Sequence, residues 1–301
     1  MIIIEILGES LFASDITINN GSKDCVIIFH GFGATPFEMF HVAEAIADLP
    51  VDVLVPLLPK HGINSKVLSE LKLDEAISWG INYVQNVRKC YNRVFVLGHS
   101  MGSGLTYNIA TAIPDIDGVI ISALGRDYSL KLRLLTWLAR KFNIRYMPSI
   151  FSHLKQSKII APEYINWKKR RFPKQPVLLM RDVVENTPAE FSKLPNIKTP
   201  FMLIMGTNDF LSSANYIDDF LYQTVSKRKI VVLLKNGNHR VFLSRFKFRV
   251  IPKIVSFIQE LLSSKADEIN GSEYFILNRR FEINKTDYIQ TIYRKREARQ
   301  I

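Results

Sequence analysis

The most constraining stretch of this chain is Val94 to Gly104, VFVLGHSMGSG, where a continuously apolar, strand-forming run passes directly into Gly98-His99-Ser100-Met101-Gly102 and then into a helix-forming segment. A serine with glycines two positions to either side fits a sharp turn from strand to helix, because small residues let neighbouring backbone pass close to it. Such a turn lifts the Ser100 hydroxyl to the C-terminal edge of a sheet. The helix that follows aims its N-terminal N–H groups and positive dipole end at the same place, where developing negative charge is stabilised. Ser100 is therefore read as a nucleophile, and Gly98 and Gly102 as supports of its turn. The bare pentapeptide also occurs in ordinary loops; the flanking strand and helix make this copy specific.

The same alternation runs through the first half of the chain. Short β-branched runs are predicted as strands at Ile2 to Leu7, Val26 to Phe29, Val53 to Leu57, Val94 to Leu97, Gly118 to Ser122, Phe201 to Met205 and Ile230 to Leu234. Several are apolar at every position, which suits strands covered by helices on both faces. Segments Phe37 to Ala47, Leu73 to Arg88 and Leu105 to Ala112 read as the packing helices, so a mostly parallel α/β sheet is expected. SRFKFRVIPKIVSFIQELLSS reads as a closing helix entered at Pro252, with Ile254, Phe257, Ile258 and Leu261 on one face.

The rhythm stops at Leu124 and resumes at Pro200, a gap too long for a simple connection. The chain thus divides into a core of 1–124 with 199–265, a helical insertion of 125–198, and a charged extension of 266–301 that could add an edge strand or a helix. Within the insertion, LKLRLLTWLARKF spaces Leu132, Leu135, Leu138 and Phe142 as one face of an amphipathic helix from about Ser129 to Phe142. The net charge of +12 is concentrated here: Arg126 to Lys198 holds sixteen Lys or Arg against five Asp or Glu.

Cys25 and Cys90 are too few for a disulfide framework, and a reduced, cytoplasmic setting is the expectation. MIIIEILGES has no basic leader and no cleavage site of small residues, unlike a secretory signal. No apolar run approaches the roughly 20 residues that a bilayer core demands.

A serine nucleophile needs an oxyanion hole, a base and an acid that orients the base. The run FHGFGATPFEM follows the apolar VIIF, and its His30-Gly31 turn can aim the backbone N–H of Phe32 beside that of Met101 to form a two-donor hole. His30 is read as a support of that loop. His239 follows the strand IVVLL and the turn Lys235-Asn236-Gly237-Asn238, in the chain order serine, acid, histidine, and is read as the base. His99, His41, His61 and His153 lack that placement. Asp209, after the strand FMLIM, is read as the acid, with Asp127 in reserve; Asn208 is neutral and cannot compensate an imidazolium.

These motifs, HGFGATP at His30 to Pro36, GHSMG at Gly98 to Gly102, and GTND with GNH around Asp209 and His239, resemble the monoacylglycerol lipase and carboxylesterase branch of the α/β-hydrolases over about Val26 to Leu262. LLPKHG at Leu57 to Gly62 resembles that family's Pro-Gly-His-Gly loop, with Lys60 where the family has glycine. The resemblance implies an α/β-hydrolase fold, a mostly parallel central sheet flanked by helices, with a helical lid inserted between the sixth and seventh strands. It also implies hydrolysis of monoacylglycerols, lysophospholipids or short and medium acyl esters, with no metal and no organic cofactor.

An acyltransferase or a thioesterase would use the same serine, base and oxyanion hole, and a silent interaction protein on this scaffold is a non-enzymatic alternative. Leu132, Leu135, Trp137, Leu138 and Phe142 beside Lys131, Arg133, Arg140, Lys141 and Arg145 suggest an apolar acyl channel rimmed by cations. The same basic segment suits an anionic membrane surface or is simply a solvated face. The Lys168 to Arg171 run has no nucleic-acid recognition motif around it, so no nucleic-acid partner is expected.

Overall fold

In the computed structural model the residues described are 9–125, 127–128, 130–148, 162–177, 197–209, 211–264, 269–278 and 282–285. The strands in chain order are β1 (Ile16–Ile18), β2 (Asp24–Phe29), β3 (Asp52–Val55), β4 (Arg93–His99), β5 (Gly118–Ser122), β6 (Asp127–Tyr128), β7 (Tyr146–Pro148), β8 (Lys174–Pro176), β9 (Phe201–Gly206), β10 (Ser212–Ser213), β11 (Arg228–Leu234), β12 (Gly271–Leu277) and β13 (Glu282–Asn284). The helices are α1 (Phe40–Ile46), α2 (Ser65–Leu68), α3 (Leu73–Arg88), α4 (Met101–Ala112), α5 (Leu130–Lys141), α6 (Pro162–Arg171), α7 (Ile217–Gln223) and α8 (Lys247–Ser263).

Among the described residues, nine strands form one sheet in the order β1-β3-β2-β4-β5-β9-β11-β12-β13. From β3 to β12 every neighbouring pair is parallel, and only the edges, β1 on β3 and β13 on β12, are antiparallel. The strand runs are apolar throughout because alternate residues enter different cores. Ile27 and Phe29 of β2 and Val96 of β4 pack on the face of α3 and α4, with Ala76, Val84 and Leu105. Val26 and Ile28 of β2 and Leu97 of β4 pack on the opposite face, with Val42 of α1 and Ile254 and Phe257 of α8. Each fully buried Val, Leu, Ile or Phe among these stabilises the fold by roughly 1.5–3 kcal/mol.

The predicted strands from Val26 onward all appear: Gly118–Ser122 as expected, β2, β4, β9 and β11 extended by one or two residues at an end, and β3 starting at Asp52 but stopping at Val55, two residues short of the expected Leu57. The Ile2 to Leu7 run lies outside the described residues. Among the described strands of the main sheet, β1 to β5 precede the insertion and β9 follows it.

The chain departs from expectation after β11. Helix α8 starts at Lys247, so Pro252 lies inside it, not at its entry. Proline has no N–H to donate to the carbonyl of Phe248, four residues earlier in the helix. Nor does α8 close the sheet, because it crosses over to β12, which pairs with β11 in parallel over Gly271 to Leu277. Arg228 pins this addition, donating to Glu260 of α8 at 2.8 Å and to Glu273 of β12. Lys253 of α8 sits 3.7 Å from the ring centre of Phe275.

The insertion has two different characters. Tyr164, Trp167 and Phe172 on and after α6 are fully buried and join the core through Phe12 and Phe37, with Phe37 and Tyr164 ring centres 4.8 Å apart. Helix α5 buries Leu132, Thr136 and Ala139, yet Leu130, Leu134 and Trp137 face outward, 82%, 57% and 54% exposed. Phe142, expected on the inner face with Leu132, is also exposed, because the helix ends at Lys141 and the chain turns away. The short pair β7 and β8 ties the two helical parts together.

Candidate active site

Ser100 stands between the end of β4 and the first residue of α4 with φ 57° and ψ −115°. For a residue with a side chain this left-handed backbone is strained, and it persists because the surroundings hold it. The Ser100 N–H donates to Ser122 O at 2.9 Å, and Ser103 Oγ, which donates to Gly98 O at 2.8 Å, accepts the N–H of Ser122 at 3.0 Å. The glycines are required by contact: a Cβ on Gly98 would collide with the carbonyl of Gly102, and one on Gly102 with the carbonyls of Phe29 and His30.

His239 is brought to the serine by the turn after β11, and Asp209 by the turn after β9. These two turns pack so closely that a Cβ on Gly206 would strike the carbonyl of Gly237. The three predicted residues stand in one hydrogen-bonded line. His239 Nδ1 lies 2.7 Å from Asp209 Oδ2, and His239 Nε2 lies 2.7 Å from Ser100 Oγ. A carboxylate only accepts, so Nδ1 carries the proton and Nε2 offers its lone pair to the serine hydroxyl. Burial pushes the Asp209 carboxyl up, but His239, the Leu211 N–H and the Ser212 hydroxyl together hold it below the usual aspartate range. Asp127, the reserve acid, lies on β6 opposite Ser213; its side chain is outside the described residues.

On the oxyanion side, Gly31 passes directly against the nucleophile, and a Cβ there would be 3.2 Å from Ser100 Cβ. The peptide that follows Gly31 carries the N–H of Phe32, the expected first donor of the oxyanion hole. Met101 is the first residue of α4, where the N–H has no acceptor inside its own helix. His30 is fully buried: its Nε2 accepts the Leu58 N–H at 3.1 Å, so its Nδ1 carries the proton and donates to Gly31 O at 3.0 Å. Burial holds its ring well below the usual histidine range.

The remaining histidines take other places. His99 packs behind His239 with ring centres 5.6 Å apart, and burial, with the charge of His239, lowers its pKa to about 3. His61 is buried against His30 and Phe32, its Nδ1 donating to Pro59 O at 2.9 Å. His41 is exposed beside Glu44, and His153 lies outside the described residues. In the His61 loop, Lys60 adopts φ 65°, the conformation that a glycine takes freely.

Sequence reasoning missed a buried polar cluster next to the oxyanion loop. Glu38, just past that loop, accepts from Tyr164 Oη at 2.9 Å and from Lys168 Nζ, both on α6. Its carboxyl, raised by burial, is brought below the usual range by the Lys168 and Arg240 charges. These residues lie 126 and 130 positions from Glu38, so no local pattern announces them. Ser103 and Ser122 were missed too, although the small residue after GHSMG is a legible hint for Ser103.

With this geometry, comparison with known proteins is specific. The family model described as serine aminopeptidase, S33, matches residues 20–245. A thermostable monoacylglycerol lipase of Bacillus sp. (strain H-257) is 25% identical over 235 residues, which are 77% of this chain and 89% of that protein. Among solved structures, one from a report on two metagenome-derived lipolytic enzymes, LipS and LipT, superposes with a TM-score of 0.68 at 21% identity over 83% of this chain and 98% of that one. The monoacylglycerol lipase of Paleococcus ferrophilus superposes with a TM-score of 0.63 at 17% identity over 82% of this chain and 98% of that one. The chain belongs to the serine aminopeptidase, S33, family of α/β-hydrolases and is a lipase- and esterase-like serine hydrolase.

Proposed function

We propose that the protein hydrolyses a lipid-like carboxylic ester, such as a monoacylglycerol, a lysophospholipid or a medium-chain ester, through an acyl-enzyme on Ser100. The observation that carries this is the Asp209–His239–Ser100 line beneath a strained serine that Gly31 passes at contact distance. His239 Nε2 takes the Ser100 proton as Oγ attacks the acyl carbonyl, and the oxyanion is held by the N–H groups of Phe32 and Met101. Collapse of that intermediate expels the alcohol, which receives the proton from His239. Water then attacks the acyl-enzyme with His239 again as base, releasing the carboxylic acid and restoring Ser100. The alternative outcomes, acyl transfer or thioester cleavage, differ only in the acceptor or the leaving group.

A hydrolysis screen over monoacylglycerols, lysophospholipids, acyl-CoA and p-nitrophenyl esters of graded chain length tests this, with aminoacyl anilides included because the family description names a peptidase. Turnover of the oxygen esters, with fluorophosphonate labelling of wild type and none of Ser100→Ala, is expected. Equal labelling of Ser100→Ala, or anilide cleavage without ester cleavage, would overturn it.

We also propose a peripheral site of action on anionic membrane from the cytoplasmic side. Outward-facing Leu130, Leu134 and Trp137 on α5 are flanked by exposed Arg133, Arg140 and Lys141, a stripe suited to an acidic lipid surface. No helix among the described residues is long and apolar enough to cross a membrane, and both cysteines are free. Flotation with anionic but not neutral liposomes is expected, and failure to float with either ends this part of the reading.

A further inference from the structure

We propose that Tyr164 and Lys168 of helix α6 are positioning residues for the oxyanion loop, clamping Thr35 and Glu38 and thereby setting the backbone N–H of Phe32 against Ser100. The inference rests on the esterase reading of the site. It assigns part of the insertion to the rate of the chemical step, not to substrate recognition.

The loop is anchored at both ends. On the side nearer β2, His30 bridges Gly31 O and the Leu58 N–H. Inside the loop the Ala34 N–H donates to Gly31 O at 3.1 Å and the Glu38 N–H to Thr35 O at 3.0 Å, so residues 31–38 form two linked turns. On the far side both anchors come from α6, through the side chains of Thr35 and Glu38. Phe32 is held between these two ends.

Counting protons gives the far anchor a direction. Tyr164 Oη has one hydrogen, and Glu38, held ionised by its cationic neighbours, can only accept it, at 2.9 Å. The 3.2 Å contact between Thr35 Oγ1 and Tyr164 Oη must then have threonine as the donor. The chain of donors runs from Thr35 to Tyr164 to Glu38 Oε1, and Lys168 Nζ donates to that same oxygen. Such a chain strengthens cooperatively where water is excluded, and the Glu38 and Lys168 side chains are only 12% and 14% exposed.

Burial makes the anchor stiff. With Lys168 removed, Glu38 would be a buried carboxylate without its ion-pair partner, and the turn carrying it would relax toward water. Because Phe32 is six residues upstream in the same linked turns, that relaxation moves its N–H. The aromatic packing of Tyr164 on Phe37 and Phe12, and of Trp167 on Phe12, holds α6 in place independently of the polar contacts, so the hydroxyl can be deleted without undocking the helix.

The test uses the full chain as wild type, Tyr164→Phe, Lys168→Met and the double variant Glu38→Gln/Lys168→Met. Each is measured for kcat and KM on one p-nitrophenyl ester, for Ki of an alkyl trifluoromethyl ketone whose hemiketal oxyanion occupies the hole, and for Tm. A misplaced oxyanion donor lowers turnover by up to about 10²-fold. Tyr164→Phe is expected to lower kcat about 10-fold with KM within about twofold, and to raise the ketone Ki by the same factor as kcat/KM falls. Lys168→Met should lose about 100-fold, part of which the double variant recovers.

Wild-type kcat and ketone affinity in Tyr164→Phe would overturn the clamp even if Tm falls, as would a change confined to KM. Should Lys168→Met fail to fold, Tyr164→Phe decides alone. An active wild type with unaffected variants overturns only the clamp, whereas a wild type that neither turns over esters nor reacts with fluorophosphonate overturns the esterase reading as well.

Discussion

His239 Nε2 stands 2.7 Å from Ser100 Oγ although 139 residues separate the two in the chain. The ends of parallel strands make this possible: β4 and β11 both deliver their C-terminal turns to the same edge, and only β5 and β9 lie between them. The line continues to Asp209, whose carboxylate accepts from His239 and from the Leu211 N–H and Ser212 hydroxyl at once. Asp209→Asn keeps the shape but favours the wrong histidine tautomer. It is expected to lower kcat roughly 10⁴-fold with little change in KM, measured by steady-state kinetics on a p-nitrophenyl ester.

Gly31 and Gly98 should fail in different ways. A Cβ on Gly98 collides with the backbone carbonyl of Gly102, which cannot move without opening the elbow, so Gly98→Ala is expected to lose about 1–3 kcal/mol or more in urea unfolding. At Gly31 the added carbon would sit 3.2 Å from Ser100 Cβ and 3.5 Å from His99 O. A few tenths of an ångström of yielding accommodates it, so Gly31→Ala should stay folded while kcat drops roughly 10-fold or more.

Lys60 offers a stabilising change. Its φ of 65° disfavours a side chain, and its contact with Glu70 at 3.3 Å is exposed and worth little. Lys60→Gly relieves about 1 kcal/mol of strain, offset in part by the greater freedom of glycine in the unfolded chain. A rise in Tm of one to a few degrees by calorimetry is the expected outcome, and a fall would show that Lys60 is held by something other than its backbone.

Acid sensitivity should begin above the carboxylate range. Burial lowers the His61 pKa from the ordinary 6.5 to about 4, so between those values the unfolded chain binds a proton that the folded one does not. Stability from this residue is whole above pH 6.5 and is lost as pH falls toward about 4, amounting to roughly 3 kcal/mol. Asp209, lowered below its usual value, adds a loss only at lower pH, as its carboxylate protonates. Urea unfolding of wild type at a series of pH values should slope between 6.5 and 4, and the slope should lose one proton's share in His61→Asn, the buried His30 and His99 keeping the rest.

The outward stripe on α5 can be separated from the catalytic chemistry. Leu134→Glu combined with Trp137→Ser replaces two exposed apolar side chains and leaves the buried Leu132, Thr136 and Ala139 untouched. Binding to anionic liposomes should fall at least tenfold, while turnover of a water-soluble short-chain ester should stay within about twofold of wild type.

What the sequence by itself determined is the part of this protein governed by near neighbours. Strands such as VIIF and FMLIM are apolar at every position and need cover on both faces, and a serine between two glycines at a strand end can make few other turns. Ser100, His239 and the Gly31 turn were legible for that reason, as was Asp209 with Asp127 left as an alternative. Distance in the chain hid the rest. Glu38 reads as one acid in an apolar PFEM turn until α6 brings Tyr164 and Lys168 against it, and Lys168 reads as one member of a basic run until burial separates it from exposed Lys169, Arg170 and Arg171. Periodicity placed Leu132, Leu135, Leu138 and Phe142 on one face of α5, but a helix that is apolar on two sides does not say which side the core will take. Only the docking of the insertion decided that Leu132 goes in while Leu134 and Trp137 stay out, because burial depends on which surface a second element covers and not on spacing alone.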